Sequence, residues 1–209
     1  MAVLEAERRP ISVPTWNGIS IRDGIEEPEP YTSEEFAALA ANYPELRMEL
    51  TQEGELVLMP PTFTETGNKN FKLIARFGIW SEGNDLGNGY DSSTVFTLPS
   101  RAKRSPDLSW ITKVRWNALT EDQQKEFAQI CPDFVVELRS KTDRLSAVQV
   151  KMREYMDNGA RLGWLIDPKS RRVEIYRAGQ DVEILDNPTS LSGEEVLPGF
   201  VLNLADILV

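Results

Sequence analysis

The chain has 209 residues, enough to bury a substantial core as one globular domain. Its longest apolar runs fall far short of a membrane span, and the opening MAVLEAERRP carries Glu5 and Glu7 where a secretory signal needs an apolar stretch. There is no histidine, and Cys131 is the lone cysteine. His-based zinc sites, Ser-His-Asp triads and intrachain disulfides are therefore excluded, and the expected compartment is the cytoplasm.

The net charge of −10 argues at first against a nucleic-acid partner. Its distribution argues the other way. Residues 1–100 hold 7 basic and 16 acidic side chains, residues 101–177 hold 16 basic and 11 acidic, and residues 178–209 hold 6 acidic and none basic. Solvated Lys and Arg faces account for the basic middle equally well.

Residues 1–30 are rich in Pro and Glu and read as an N-terminal arm, with a possible hairpin turn at Trp16-Asn17-Gly18. Thr32 and Glu35 have capping-box spacing, opening a helix that runs to about Asn42. RMELTQEGELVLM (47–59) reads as a hairpin turning near Gln52-Glu53-Gly54. Phe71, Ile74, Phe77 and Trp80 are spaced for one face of a second helix, and NDLGNGYD (84–91) reads as a Gly-rich loop. Strands are expected around Thr94–Leu98 and over RSPDLSWI (104–111), with a short helix over 120–130.

PDFVVEL (132–138) reads as a buried strand with Glu137 inside it. RLSAVQVKMREYM (144–156) puts Leu145, Val148, Met152, Tyr155 and Met156 on one helical stripe, stopped by Gly159. GWLID (163–167) and RRVEIYR (171–177) flank a Pro168-Lys169-Ser170 turn, and the apolar tail 197–209 can pack back on the domain. The order implies an α/β (α+β) domain over 31–209, with a mixed central sheet flanked by helices and an extra N-terminal hairpin.

A carboxylate inside an apolar strand needs a partner, a cation or water, because burying an unpaired charge costs several kcal/mol. Two Pro-Asp pairs offer an acidic neighbour for Glu137, at Asp107 and Asp133. Asp133 lies four residues away on the same strand, roughly 13 Å, too far to share an ion bound at oxygen distances of about 2.0–2.6 Å. Asp107 belongs to another strand, and neighbouring strands lie about 4.8 Å apart, so it is the better candidate. Two such carboxylates imply Mg²⁺ or Mn²⁺, which could activate water for phosphodiester hydrolysis. Arg139, two residues beyond Glu137 on the same face, could meet phosphate, and Lys151 on the following helix could reach over the sheet end to position water or handle a proton.

SPDLSWI, PDFVVELRS and VKMREYMDNGARLGWLIDPKSRRVEIYR together resemble the Uma family of bacterial restriction endonucleases, within the PD-(D/E)xK nuclease superfamily. The likeness spans roughly 32–206, and its specific part is 104–177. It implies a restriction-endonuclease-like fold, DNA as substrate, a homodimer, and Asp107 and Glu137 as metal ligands. It also implies that the superfamily's strand lysine has moved to the helix as Lys151, and that Glu49 of the early hairpin joins the site. Arg139 stands where the wider superfamily has lysine, and Arg139-Ser140-Lys141 replaces a Leu-Ser-Pro-like stretch; Arg139 and Lys141 are expected to touch substrate phosphate. The competing readings are a nuclease-fold binding or scaffolding module without efficient chemistry, and a two-carboxylate glycosidase. The tail and the 1–30 arm are the expected dimer surfaces.

Overall fold

The structure, a computed structural model, describes residues 29–125 and 127–209. The Trp16-Asn17-Gly18 turn and nearly all of the 1–30 arm lie outside the described residues. Thr32 opens α1 (Ser33–Asn42) as a capping box: its hydroxyl accepts from the Glu35 N–H at 3.1 Å, and Glu35 accepts from the Thr32 N–H at 2.9 Å. The expected hairpin follows as β1 (Arg47–Leu50) and β2 (Leu56–Met59). Gly54 turns it with φ of 83°, where a side chain would also strike Pro30.

The second helix, α2 (Thr64–Asn84), buries Lys69, Leu73 and Phe77, with Ile74 and Trp80 partly covered. Phe71 is 70% exposed, contrary to the expected stripe. Two residues from Leu73, it is turned about 200° around the helix and faces outward. NDLGNGYD is likewise not a loop. Its second half is β3 (Gly87–Asp91), an edge strand. A Cβ at Gly87 would fall 2.3 Å from the Ile111 carbonyl, and one at Gly89 would fall 2.7 Å from the Phe77 ring. These glycines allow close approach rather than a turn.

After β4 (Phe96–Thr97), the expected strand over 104–111 divides into β5 (Lys103–Arg104) and β6 (Leu108–Thr112). The chain then forms α3 (Lys113–Asn117) and α4 (Glu121–Gln124). The latter is shorter than the helix expected over 120–130, because Ala128 and Ile130 turn into the core instead. β7 (Phe134–Leu138), α5 (Leu145–Asp157), β8 (Leu162–Asp167) and β9 (Arg172–Arg177) appear as read, followed by β10 (Glu183–Asp186), β11 (Ser190–Ser192) and β12 (Val201–Asn203).

Among the described residues, the larger sheet has the order β10-β9-β8-β7-β6-β3, parallel only between β7 and β8, which α5 connects. The smaller sheet has the order β2-β1-β5-β4. Strand alternation sends Phe134, Val136 and Leu138 to one face, under Leu73 and Phe77 of α2. Val135 goes to the other face, under Met152 and Tyr155 of α5. Glu137 shares the α5 face.

Leu197, Phe200, Leu202, Leu204, Ile207 and Leu208 are buried in the α2-side core. The expectation that the tail offers an apolar dimer surface fails for these residues, since their own chain covers them. No helix among the described residues is long and apolar enough to cross a membrane.

Candidate active site

The chain passes from the smaller sheet to the larger through Ser105-Pro106-Asp107, and the candidate site forms at that joint. β6 pairs with β7 so that Leu108 faces Val136. Continuing this register sets Asp107 opposite Glu137, where cross-strand Cβ atoms are about 4.5–5.5 Å apart. Asp107 Oδ2 accepts from the Leu138 N–H at 2.8 Å. On the other side, pairing of Leu50 with Lys103 lays β1 along β5 and brings Glu49 to Ser105, whose N–H donates to Glu49 Oε1 at 2.8 Å.

Lys151 enters from α5. Its ammonium lies 2.8 Å from Glu49 Oε1 and 2.9 Å from Glu137 Oε1. One turn further on, the Tyr155 hydroxyl donates to Glu137 Oε1 at 3.0 Å. Arg104 closes the cluster, with Nη1 3.2 Å from Glu49 Oε2 and Nε 2.5 Å from Glu154 Oε2.

Four carboxylates (Glu49, Asp107, Glu137 and Glu154) thus face Lys151 and Arg104, with Arg47 also attracting Asp107. Burial pushes Glu137 up to about 7 against the attraction of Lys151, and the Asp107 and Glu49 carboxylates add repulsion. Burial also raises Asp107, with the Leu138 N–H and Lys151 opposing it. Glu49 is buried as deeply, yet Lys151 and Arg104 outweigh that burial and hold it below the ordinary carboxyl range. Burial works to lower Lys151, but Glu137 and Glu49 outweigh it and hold its ammonium well above the usual lysine range.

A divalent cation fits this donor set. Negative charge is in surplus, the donors are all oxygen, and Asp107 Oδ1 and Glu137 Oε2 have no protein donor among the described residues. No group of three or more His, Cys, Asp or Glu side chains among those residues forms a metal cage. Asp107 and Glu137 are the two carboxylates here that could hold an ion, with water completing its shell.

The structure brings together Glu49, Asp107, Glu137 and Lys151. Arg139 and Lys141 are elsewhere. β7 ends at Leu138, and the Arg139 guanidinium turns to Asp167 Oδ2 at 2.7 Å rather than to the Glu137 side. Lys141 pairs with Glu65 at 2.6 Å. Asp133 anchors its strand, accepting from the Thr112 N–H at 2.9 Å and pairing with Arg115 at 3.1 Å. Sequence reading missed Arg104, Glu154 and the Tyr155 hydroxyl as members of the cluster. Tyr155 had one signal, its position four residues after Lys151 on the same helix.

The Uma2 family model, described as "Putative restriction endonuclease", matches residues 33–205. The chain belongs to the Uma2 family. A crystal structure described as "a putative nuclease belonging to DUF820", from Anabaena variabilis ATCC 29413, matches this Uma2 chain with a TM-score of 0.67 at 20% identity. The match covers 77% of this chain and 89% of that one, and it shows a shared restriction-endonuclease-like fold. No curated protein matches this chain.

Proposed function

We propose that the chain is an endonuclease that hydrolyses DNA phosphodiester bonds with Mg²⁺ or Mn²⁺, working in the cytoplasm as a homodimer. Its machinery in this reading is Asp107, Glu137, Glu49 and Lys151. One observation carries it: the Lys151 ammonium is seated between Glu49 and Glu137, beside Asp107, in a buried cluster with surplus negative charge. The family match supports it.

Asp107 and Glu137 would hold the cation, which when bound supplies a Lewis acid and a water of lowered pKa. Tyr155 pins Glu137 Oε1 and leaves Oε2 for the ion. Lys151 stays protonated between its two carboxylates, so it serves as a hydrogen-bond donor that orients water or a phosphoryl oxygen, not as a base. Glu49 holds Lys151 in place and ties it to the Ser105 backbone. A duplex has pseudo-two-fold symmetry, and cutting both strands calls for two such sites, hence the dimer.

Supercoiled plasmid incubated with the protein and Mn²⁺ or Mg²⁺ tests the reading, alongside calorimetric titration of Mn²⁺. Nicked or linear DNA from the native chain is expected, with loss of both cleavage and Mn²⁺ binding in Glu137→Gln. Cleavage that survives in Glu137→Gln, or that proceeds equally in excess chelator, would overturn it.

A further inference from the structure

We propose that a cleft at the C-terminal end of β7 and β8 binds a backbone phosphate of the nucleic acid, and that the Glu65 carboxylate holds that place in the free protein. This rests on the nuclease reading for the identity of the polyanion. The cleft has a volume of about 330 Å³, and Lys69, Arg139, Lys141 and Lys169 line it, with Leu138 and Pro168 as apolar wall. Four cations line it in a chain of net charge −10, and of these Arg139 is already paired with Asp167.

Glu65 lies in the first turn of α2 and puts one oxygen on each of two lysines, Oε1 3.0 Å from Lys69 and Oε2 2.6 Å from Lys141. Two anionic oxygens bound by two ammonium groups is also how the non-bridging oxygens of a phosphodiester would be received. The Glu65 side chain is half exposed, whereas that of Lys69 is only 10% exposed. Glu65 can therefore swing into water while Lys69 stays in place, still donating to the Val209 main-chain oxygen and with room for an anion where Glu65 was. Hydrogen bonds from Lys141 and Lys69 hold the Glu65 carboxyl down at about 2.

The position suits a strand bound at the cluster. Glu137 points to the α5 face and Leu138, the next residue, lines the cleft on the α2 face, with their Cα atoms about 3.8 Å apart. Cluster and cleft thus lie at one end of the sheet, on opposite faces. A polynucleotide crossing that end meets both, and the cleft would hold a phosphate other than the one being cut.

The test is fluorescence anisotropy of a labelled DNA duplex with the full chain in chelator, at several salt concentrations and with inorganic phosphate as competitor. Lys141→Gln and Lys169→Gln should each weaken binding several-fold and flatten the salt slope by about one phosphate contact. Glu65→Gln should tighten binding several-fold and sharpen competition by phosphate. Glu82→Gln, which removes an exposed acid at the far end of α2, should leave affinity within about two-fold, since a charge that distant is screened. Glu65→Gln no tighter than Glu82→Gln, or lysine variants with native affinity and slope, would overturn the proposal. If binding is unchanged in all these variants while metal-dependent cleavage persists, the cleft assignment falls and the nuclease reading stands. If the Glu65 and lysine variants shift binding as expected but no metal yields cleavage, the cleft stands and the nuclease reading falls.

Discussion

The Leu138 N–H donates to Asp107 Oδ2 at 2.8 Å, just past the last residues that pair between β6 and β7. The carboxylate thus extends the sheet ladder with one oxygen and leaves the other toward Glu137. Structure and chemistry at this residue are separable. Asp107→Asn keeps an acceptor for Leu138 and should hold thermal stability near native while losing Mn²⁺ binding and cleavage. Asp107→Ala should lose the same functions and a further ~1–3 kcal/mol of stability, because a buried N–H is left unpaired. Parallel thermal melts and calorimetry of the two variants check this.

Glu137 makes the metal-free protein sensitive to pH. Its folded pKa of about 7 stands above the ordinary 4.5, so between those values the folded chain keeps a proton that the unfolded chain has lost. Stability should therefore fall as pH rises through that window, by roughly 1–3 kcal/mol, and level off above it. Asp107 is shifted in the same direction and adds to the fall, while Glu49, shifted downward, acts below the window. Denaturant melts in chelator should show the slope in the native chain and a flatter profile in Glu137→Gln. A native profile that is level from pH 5 to pH 8 would refute the assignment.

Lys151 and Arg139 are both cations near the end of β7, yet their partners predict different behaviour. Lys151 is wedged between Glu49 and Glu137, where a compact ammonium fits and a guanidinium fork does not. Lys151→Arg should keep most DNA affinity and lose turnover by about two orders of magnitude or more. Lys151→Met should cost about 3–5 kcal/mol, because two buried carboxylates lose their shared cation. Arg139→Lys should keep cleavage within a few-fold, since Arg139 is held by Asp167 outside the cluster. Normal turnover in Lys151→Arg together with a dead Arg139→Lys would reverse the two roles.

Two-fold assembly is expected in solution. Sedimentation at tens of micromolar protein should give a dimer, and a monomer that stays monomeric on duplex DNA would count against the paired-site reading. The buried tail residues cannot provide the contact without unfolding, so variants there should lower stability before they alter assembly.

Much of the candidate cluster is legible in the sequence because its parts obey local rules. A carboxylate inside an apolar strand marked Glu137, and residue rise along a strand favoured Asp107 over Asp133. Helical spacing placed Lys151 beside the stripe that packs on the sheet. Capping residues and the Gly54 turn fixed α1 and the first hairpin in the same way. Glu49 was different: nothing in its hairpin separates it from a solvated acid, and only the family resemblance singled it out.

Tertiary structure alone decided which local features meet. Glu49 and Arg104 join the cluster because β1 pairs with β5, a contact between segments more than fifty residues apart that no local periodicity encodes. The glycines at 87 and 89 read as a loop because the Trp110 and Phe77 rings that require them lie on other elements. Arg139 was misplaced because alternation holds only while a strand lasts. β7 ends one residue earlier, and the exchange of a water-facing guanidinium for the nearby Asp167 carboxylate then sets its direction. Sequence periodicity fixes the face a residue takes within its own element. Long-range pairing fixes what that face meets, and here it sets the charge balance of the cluster.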